Sequence, residues 1–292
     1  LGARFDDRVT GRLDEFASKA KVIHVDIDPT SIAKLVVPDY PIVGDLKITV
    51  KAMIEAIENG ENEFNDYSNW VELLRDYREK EPLRYIDSNE VIKPQWPIQR
   101  VGQILGAKAI ISTDVGQHQM WTAQFYPFSY PRQWITSGGL GTMGFGLPAA
   151  MGVARALKGT DKVSINFTGD GSILMNIQEL MTCVEYELPV INIILNNNYL
   201  GMVRQWQTMF YGNRLSETDL SAQPNFKMLV EAFGGLGYRV TTKEEFDIAL
   251  KDAVEKKRPA MIEVVVARHE EVLPMVPNGH ALNEMTLIEG GK

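Results

Sequence analysis

From residue 97 onward, short apolar runs alternate with amphipathic stretches. Runs at residues 109–113, 162–167, 190–195, 238–240 and 260–266 read as strands. Stretches at residues 98–105, 147–157, 177–187, 226–233 and 243–255 have the helical spacing of apolar positions. Strands apolar throughout, alternating with helices, predict a parallel sheet covered on both faces, a doubly wound α/β fold. Residues 114–146, rich in aromatics and glycine, read as one long loop.

The first 59 residues carry a smaller pattern of the same kind. Residues 21–27 and 41–43 read as strands, Asp28-Pro29 as a break, and Asp45 as the cap of a helix reaching about Asn59. This predicts part of a nucleotide-binding α/β domain over 1–59. Residues 60–95 are dense in charge, with a helix expected near 70–79, and read as a linker closed by Pro94 and Pro97. Residues 96–292 then form the main domain. The chain opens on Leu1 and a glycine turn, which predicts a piece of a longer protein.

Composition narrows the functions. With 45% hydrophobic and 23% charged residues the 292-residue chain is an ordinary globular mixture. The net charge of -8, with signs interleaved, argues against a nucleic-acid partner. One cysteine, Cys183, forbids an internal disulfide and fits a reducing compartment such as the cytoplasm. No apolar run approaches the ~18 residues of a membrane span, so no membrane partner is expected. No G-x-G-x-x-G follows the first strand, which disfavours a dinucleotide dehydrogenase.

The most informative chemistry lies at Gly169-Asp170-Gly171-Ser172 and at residues 196–201 (NNNYLG), each at an expected strand end. Ligands of open α/β sheets bind there. Asp170 and Asn197 side-chain oxygens, with a backbone carbonyl near Tyr199, would give half an octahedron around Mg²⁺. Phosphate oxygens and water would complete it. Gly169 and Gly171 would let a diphosphate approach the backbone. Ser172 offers a hydroxyl, and the next helix offers free N–H groups.

A strand, Gly-Asp-Gly, a helix, a strand and Asn-Asn in this order resemble the metal motif of thiamine-diphosphate enzymes. Residues 3–11 (ARFDDRVTG), 114–121 (DVGQHQMW), 134–148 (WITSGGLGTMGFGLP) and 201–206 (GMVRQW) resemble the acetohydroxyacid synthase (acetolactate synthase) family in particular. The resemblance spans nearly the whole chain except the linker. It implies thiamine diphosphate, Mg²⁺ and FAD as cofactors. It also implies condensation of pyruvate with a second 2-keto acid, pyruvate or 2-ketobutyrate, with loss of CO₂, in valine, leucine and isoleucine synthesis.

The same resemblance assigns residues. Val115, Gly116, Gln117 and His118 hold the diphosphate, and Gly141 and Met143 flank the aminopyrimidine. Leu200 and Gly201 join the cofactor set, while Met202 and Trp206 line the substrate channel. Arg4, Asp26 and Asp45 contact FAD. It further implies a homodimer or homotetramer with a possible small regulatory subunit. The catalytic glutamate is expected in an N-terminal domain outside this sequence, so the chain alone should turn over little. Alternatives are another thiamine-diphosphate carboligase or decarboxylase, or a non-catalytic cofactor-binding module.

Overall fold

The computed structural model describes residues 1–60 and 65–288. Residues 61–64 of the expected linker and 289–292 of the expected main domain lie outside the described residues. Contacts divide the chain into two units, residues 1–82 with 273–292, and residues 83–272.

The first unit contains α1 (Asp7–Thr10), β1 (Ile23–Asp26), β2 (Tyr40–Val43), α2 (Leu46–Glu58) and α3 (Ser68–Lys80). β1 and β2 pair in parallel, Ile23 beside Tyr40 and Asp26 beside Val43. α2 starts where the sequence places its cap, because Asp45 Oδ1 accepts from the Ile48 N–H at 3.1 Å. The C-terminal segment from Leu273 belongs to this unit. There the Arg12 N–H donates to the His280 carbonyl at 2.9 Å.

The second unit runs α4 (Gln95–Leu105), β3 (Ala109–Thr113), α5 (Gln117–Phe125), β4 (Trp134–Thr136), α6 (Gly146–Ala156), β5 (Val163–Gly169), α7 (Asp170–Ile173) and α8 (Glu179–Glu185). It continues with β6 (Val190–Asn196), α9 (Gly201–Phe210), α10 (Phe226–Ala232), β7 (Leu236–Val240), α11 (Lys243–Lys256) and β8 (Ala260–Val265). Its six strands lie in the order β4-β3-β5-β6-β8-β7, and every pairing is parallel. The doubly wound sheet read from the sequence is therefore the architecture found.

Side chains alternate across the sheet. On one face Val190, Ile194 and Met261 join Leu147 and Ala150 of α6, Leu180 and Cys183 of α8, and Phe226 and Val230 of α10 in a single buried core. Ile165, Phe167, Ile191 and Ile193 have the opposite parity and are equally buried on the other face. Both faces being covered is why the strands read as continuous apolar runs.

Two sequence expectations need correction. Residues 114–146 are not one loop, since they hold α5 and β4. α5 buries Gln117, His118 and Thr122 along with Trp121 and Phe125, so polar residues face inward and no apolar stripe marks it. Pro97 does not open a helix either, because α4 already starts at Gln95. A proline in a first turn costs no hydrogen bond, since those N–H groups have no helical partner.

At α11, Thr242 Oγ1 accepts from the Glu245 N–H at 3.2 Å and Glu245 Oε2 accepts from the Thr242 N–H at 3.2 Å. Thr242→Ala removes half of this reciprocal cap and is expected to cost about 1 kcal/mol, read in a urea melt.

Candidate functional site

After β3 the chain adds β4 on one side and then crosses back to place β5 on the other. This reversal opens a crevice at the carboxyl ends of the strands, where open α/β sheets bind ligands. A narrow cleft of about 90 Å³ lies there. Enclosed small-molecule sites run to roughly 300–1,000 Å³, so these walls grip only one end of a ligand.

Three chain segments supply the walls. Val115, Gly116, Gln117 and His118 follow β3, with Met143 from the glycine-rich turn before α6. Gly169, Asp170, Gly171 and Ser172 follow β5, and Asn197, Tyr199, Leu200, Gly201 and Met202 follow β6. Nearly all residues read from the sequence as holding diphosphate or metal are thus brought to one place. A larger hollow of about 850 Å³ sits at the opposite end of the sheet, beside Lys158, Lys162 and Pro189. Among the described residues, no buried polar atom lacking a partner lines it.

Asp170 is buried, with Oδ1 accepting from the Gly171 N–H at 3.1 Å and Oδ2 from Gln223 Nε2 at 2.8 Å. Burial pushes its carboxyl up to about 6 against these hydrogen bonds, and the Asn198 N–H also reaches it. Asn197 Oδ1 accepts from the Tyr199 N–H at 3.1 Å. Between them Asn198 takes a left-handed conformation, φ 57°, which asparagine tolerates better than most side chains. That bend carries the chain from Asn197 past the Tyr199 carbonyl into α9. Among the described residues no three His, Cys, Asp or Glu side chains gather as a metal site. A cation here would therefore use one carboxylate and neutral oxygens, leaving positions for ligand phosphate, as a hard ion accepts.

A buried amide chain backs the site. Asn197 Nδ2 donates to Gln117 Oε1 at 3.2 Å, and Gln117 Nε2 donates to Gln205 Oε1 at 2.9 Å and to the Glu270 carbonyl at 3.1 Å. Gln205 closes the chain on Val272, accepting from its N–H at 2.9 Å and donating to its carbonyl at 3.1 Å. Gln117 thus lines the cleft while its amide is held by protein partners. Gly201 makes this possible, since a Cβ there would sit 2.0 Å from Gln117 Oε1.

His118 is 6% exposed, and its Nε2 has no partner. Its ring donates to the Asp114 carbonyl, and burial holds its pKa down to about 3. It is neutral at physiological pH, and with one nitrogen donating to a carbonyl the other is a bare acceptor. Asp114, which the sequence reading treated only as a loop start, is fully buried. It accepts from the Gly144 N–H at 2.6 Å and from Thr168 Oγ1 at 3.1 Å, fixing the turn that carries Met143. Burial raises its carboxyl above the usual range.

Ser172 Oγ accepts from the Gly169 N–H at 3.2 Å and so closes the turn after β5. α7 is a single turn set before α8, which is the helix expected near 177–187, and its Gly171 N–H points back to Asp170. Gly141 (φ 64°) does not line the cleft, although a Cβ on it would lie 3.9 Å from Val115 Cγ1. Trp206 lines an adjoining groove of about 460 Å³ with Met202, Val203 and Gln207. It packs edge-on against Phe210 at 5.5 Å. Arg4, Asp26 and Asp45 belong to the first unit and have local partners there. Arg4 pairs with Asp6 at 3.2 Å, Asp26 accepts from the Asp28 N–H at 2.9 Å, and Asp45 caps α2.

The raised Asp170 carboxyl sets a pH dependence. A cation binds the deprotonated form, so protons compete below about pH 6. Mg²⁺ affinity is expected to fall by about tenfold per pH unit from pH 6 down to 4.5, by calorimetric titration. His118 stays neutral throughout that window, so a flat affinity profile would contradict the role given to Asp170.

The family profile described as "Thiamine pyrophosphate enzyme, C-terminal TPP binding domain" matches residues 114–264, and that described as "Thiamine pyrophosphate enzyme, central domain" matches residues 1–53. The chain belongs to the thiamine pyrophosphate enzymes. The C-terminal match begins just after β3, runs through β5 and β6 and includes every segment lining the cleft. Among thiamine pyrophosphate enzymes, the acetolactate synthase isozyme 3 large subunit of Escherichia coli (strain K12) is 44% identical over 98% of this chain and 50% of its own length. Acetolactate synthase 1, chloroplastic, of Zea mays is 43% identical over 100% of this chain and 47% of its own length. The acetolactate synthase large subunit of Haemophilus influenzae is 43% identical over 98% and 50%. The chain spans about half the length of the curated relatives it matches.

Proposed function

We propose that this chain carries the cation and diphosphate site of an acetolactate synthase. The complete enzyme condenses pyruvate with a second 2-keto acid, pyruvate or 2-ketobutyrate, with loss of CO₂, in branched-chain amino-acid synthesis. The observation that carries the reading is the meeting of Asp170 and Asn197 in one cleft at adjacent strand ends. The similarity to acetolactate synthases along the whole chain supports the choice of reaction.

The residues present fit thiamine diphosphate with Mg²⁺. The donors are hard oxygens, and Gly169 and Gly171 let the cleft's side chains close tightly on the backbone. A Cβ on either would come within about 3 Å of His118 or of Leu200 and Leu220. Asp170, Asn197 and the Tyr199 carbonyl would hold Mg²⁺. Gly116, Leu200 and Gly201 would bring main chain close to the phosphates, and Met143 with Gly141 would support the pyrimidine. When bound, thiamine diphosphate supplies a carbon that adds to the keto group of the first acid and takes up the electron pair left by CO₂. Met202 and Trp206 wall the adjoining groove, where apolar surface would exclude water and select the second keto acid.

FAD is a cofactor of this family, and Arg4, Asp26 and Asp45 on the first unit are its proposed contacts. A homodimer or homotetramer, a small regulatory subunit and a cytoplasmic location complete the reading. No helix among the described residues is long and apolar enough to cross a membrane. The test is product analysis with pyruvate as sole substrate. Acetolactate is the expected product, and acetaldehyde, acetyl phosphate or tartronate semialdehyde would move the assignment to another thiamine-dependent reaction.

A further inference from the structure

We propose that Gln223 is a positioning residue for the cation: its side-chain amide, oriented by Asn196 and Glu263, fixes the Asp170 carboxylate. The proposal rests on the reading of the cleft as a cation site. Gln223 lies on the connection between α9 and α10. That connection is pinned beside the metal segment, where the Leu200 N–H donates to the Thr218 carbonyl and the Leu220 N–H to the Asn198 carbonyl, each at 2.9 Å.

The polarity of the relay follows from its fixed ends. An amide can be turned either way, so its direction has to come from partners that only donate or only accept. The Asn198 backbone N–H, a donor only, gives to Asn196 Oδ1 at 3.1 Å. Asn196 Nδ2 must then face the other way. It donates to Glu263 Oε1 at 2.9 Å and to Gln223 Oε1 at 2.8 Å. Glu263 is buried in β8 and paired with Arg239 at 3.4 Å, a carboxylate that accepts. With Oε1 of Gln223 taken by a donor, its Nε2 is left facing Asp170 Oδ2, at 2.8 Å.

Asp170 Oδ1 already accepts from Gly171, so the two hydrogen bonds set the plane of the carboxylate. Outer hydrogen bonds that orient a ligating carboxylate typically contribute 10–100-fold to metal affinity.

Mn²⁺ titration of the 292-residue chain with thiamine diphosphate, followed by electron paramagnetic resonance, reads the site without turnover. Gln223→Ala is expected to weaken Mn²⁺ by about 10-fold or more, with the melting temperature of the metal-free protein unchanged. Asn196→Ala releases the same amide and is expected to weaken Mn²⁺ likewise. The double variant should bind no more weakly than the weaker single one, because both changes act through one group. Unchanged or tightened binding in Gln223→Ala overturns the positioning role, as do losses that simply add. Asp170→Ala separates the two levels. Wild-type affinity in that variant, or no Mn²⁺ site in the wild-type chain, overturns the cation site itself.

Discussion

Asp170→Ala is expected to abolish Mg²⁺-dependent binding of thiamine diphosphate, weakening it at least ~100-fold in calorimetric titration. The magnitude follows from the shortage of charge in the cleft. Asp170 is its one carboxylate, and the other proposed ligands are an amide oxygen and a backbone carbonyl. Loss of an orienting hydrogen bond already costs up to that factor, and loss of the only anionic ligand costs more. Stability should move the other way. The folded-state pKa of about 6 lies above the roughly 3.9 of an unfolded aspartate. The folded protein therefore takes up this proton first, and its penalty for the buried charge is full above pH 6 and shrinks as pH falls toward 4. At pH 7 the metal-free variant should melt no lower than the wild type. Lost binding with preserved melting marks a ligand, whereas loss of both would mark a merely structural aspartate.

Gly146→Ala should be a strongly damaging single-methyl addition near the site. The new Cβ would lie 2.4 Å from Asn166 Oδ1, 2.7 Å from the Asp114 backbone N and 3.0 Å from Asp114 Oδ2. Asn166 is tied to Asn192 by a 2.9 Å hydrogen bond inside the sheet, and Asp114 holds the Gly144 turn. Neither can give way as a flexible side-chain tip could. A cost of about 3 kcal/mol is expected, near 6–12 °C in melting temperature, with loss of the cleft's shape besides. Gly152→Ala on the same helix is the control. A Cβ there meets nothing within 4 Å, so the helix should gain up to about 1 kcal/mol. If both variants melt alike, the close approach of α6 to β3 is not what Gly146 serves.

Much of the fold is legible because burial on both faces leaves long apolar strands and helix periodicity between them. β3 begins and ends where the apolar run does, and α2 starts at the residue after Asp45 because an aspartate side chain caps locally. α5 is hidden for the opposite reason, since its inward face carries Gln117, His118 and Thr122 beside Trp121 and Phe125 and so shows no apolar stripe. The cleft follows the same division. Asp170 and Asn197 stand in short motifs at strand ends and can be found by reading. Gln223 stands in a connection with no motif, and Asp114 looks like an ordinary loop start. Gln205 sits mid-helix among candidate pocket residues and turns out to be buried in an amide chain.

The amino-acid order alone determined the alternation of strand and helix, the parallel sheet, and the two strand-end segments that carry the proposed cation ligands, because each is a matter of periodicity or of neighbours within a few residues. Only the tertiary structure decided which amide meets which carboxylate, that Gln117 joins a buried amide chain with Asn197 and Gln205, and that Gly146 has no room for a methyl. Those outcomes depend on groups far apart in the chain meeting within 3 Å, and hydrogen-bond direction is set by the partner that arrives rather than by the residue that waits.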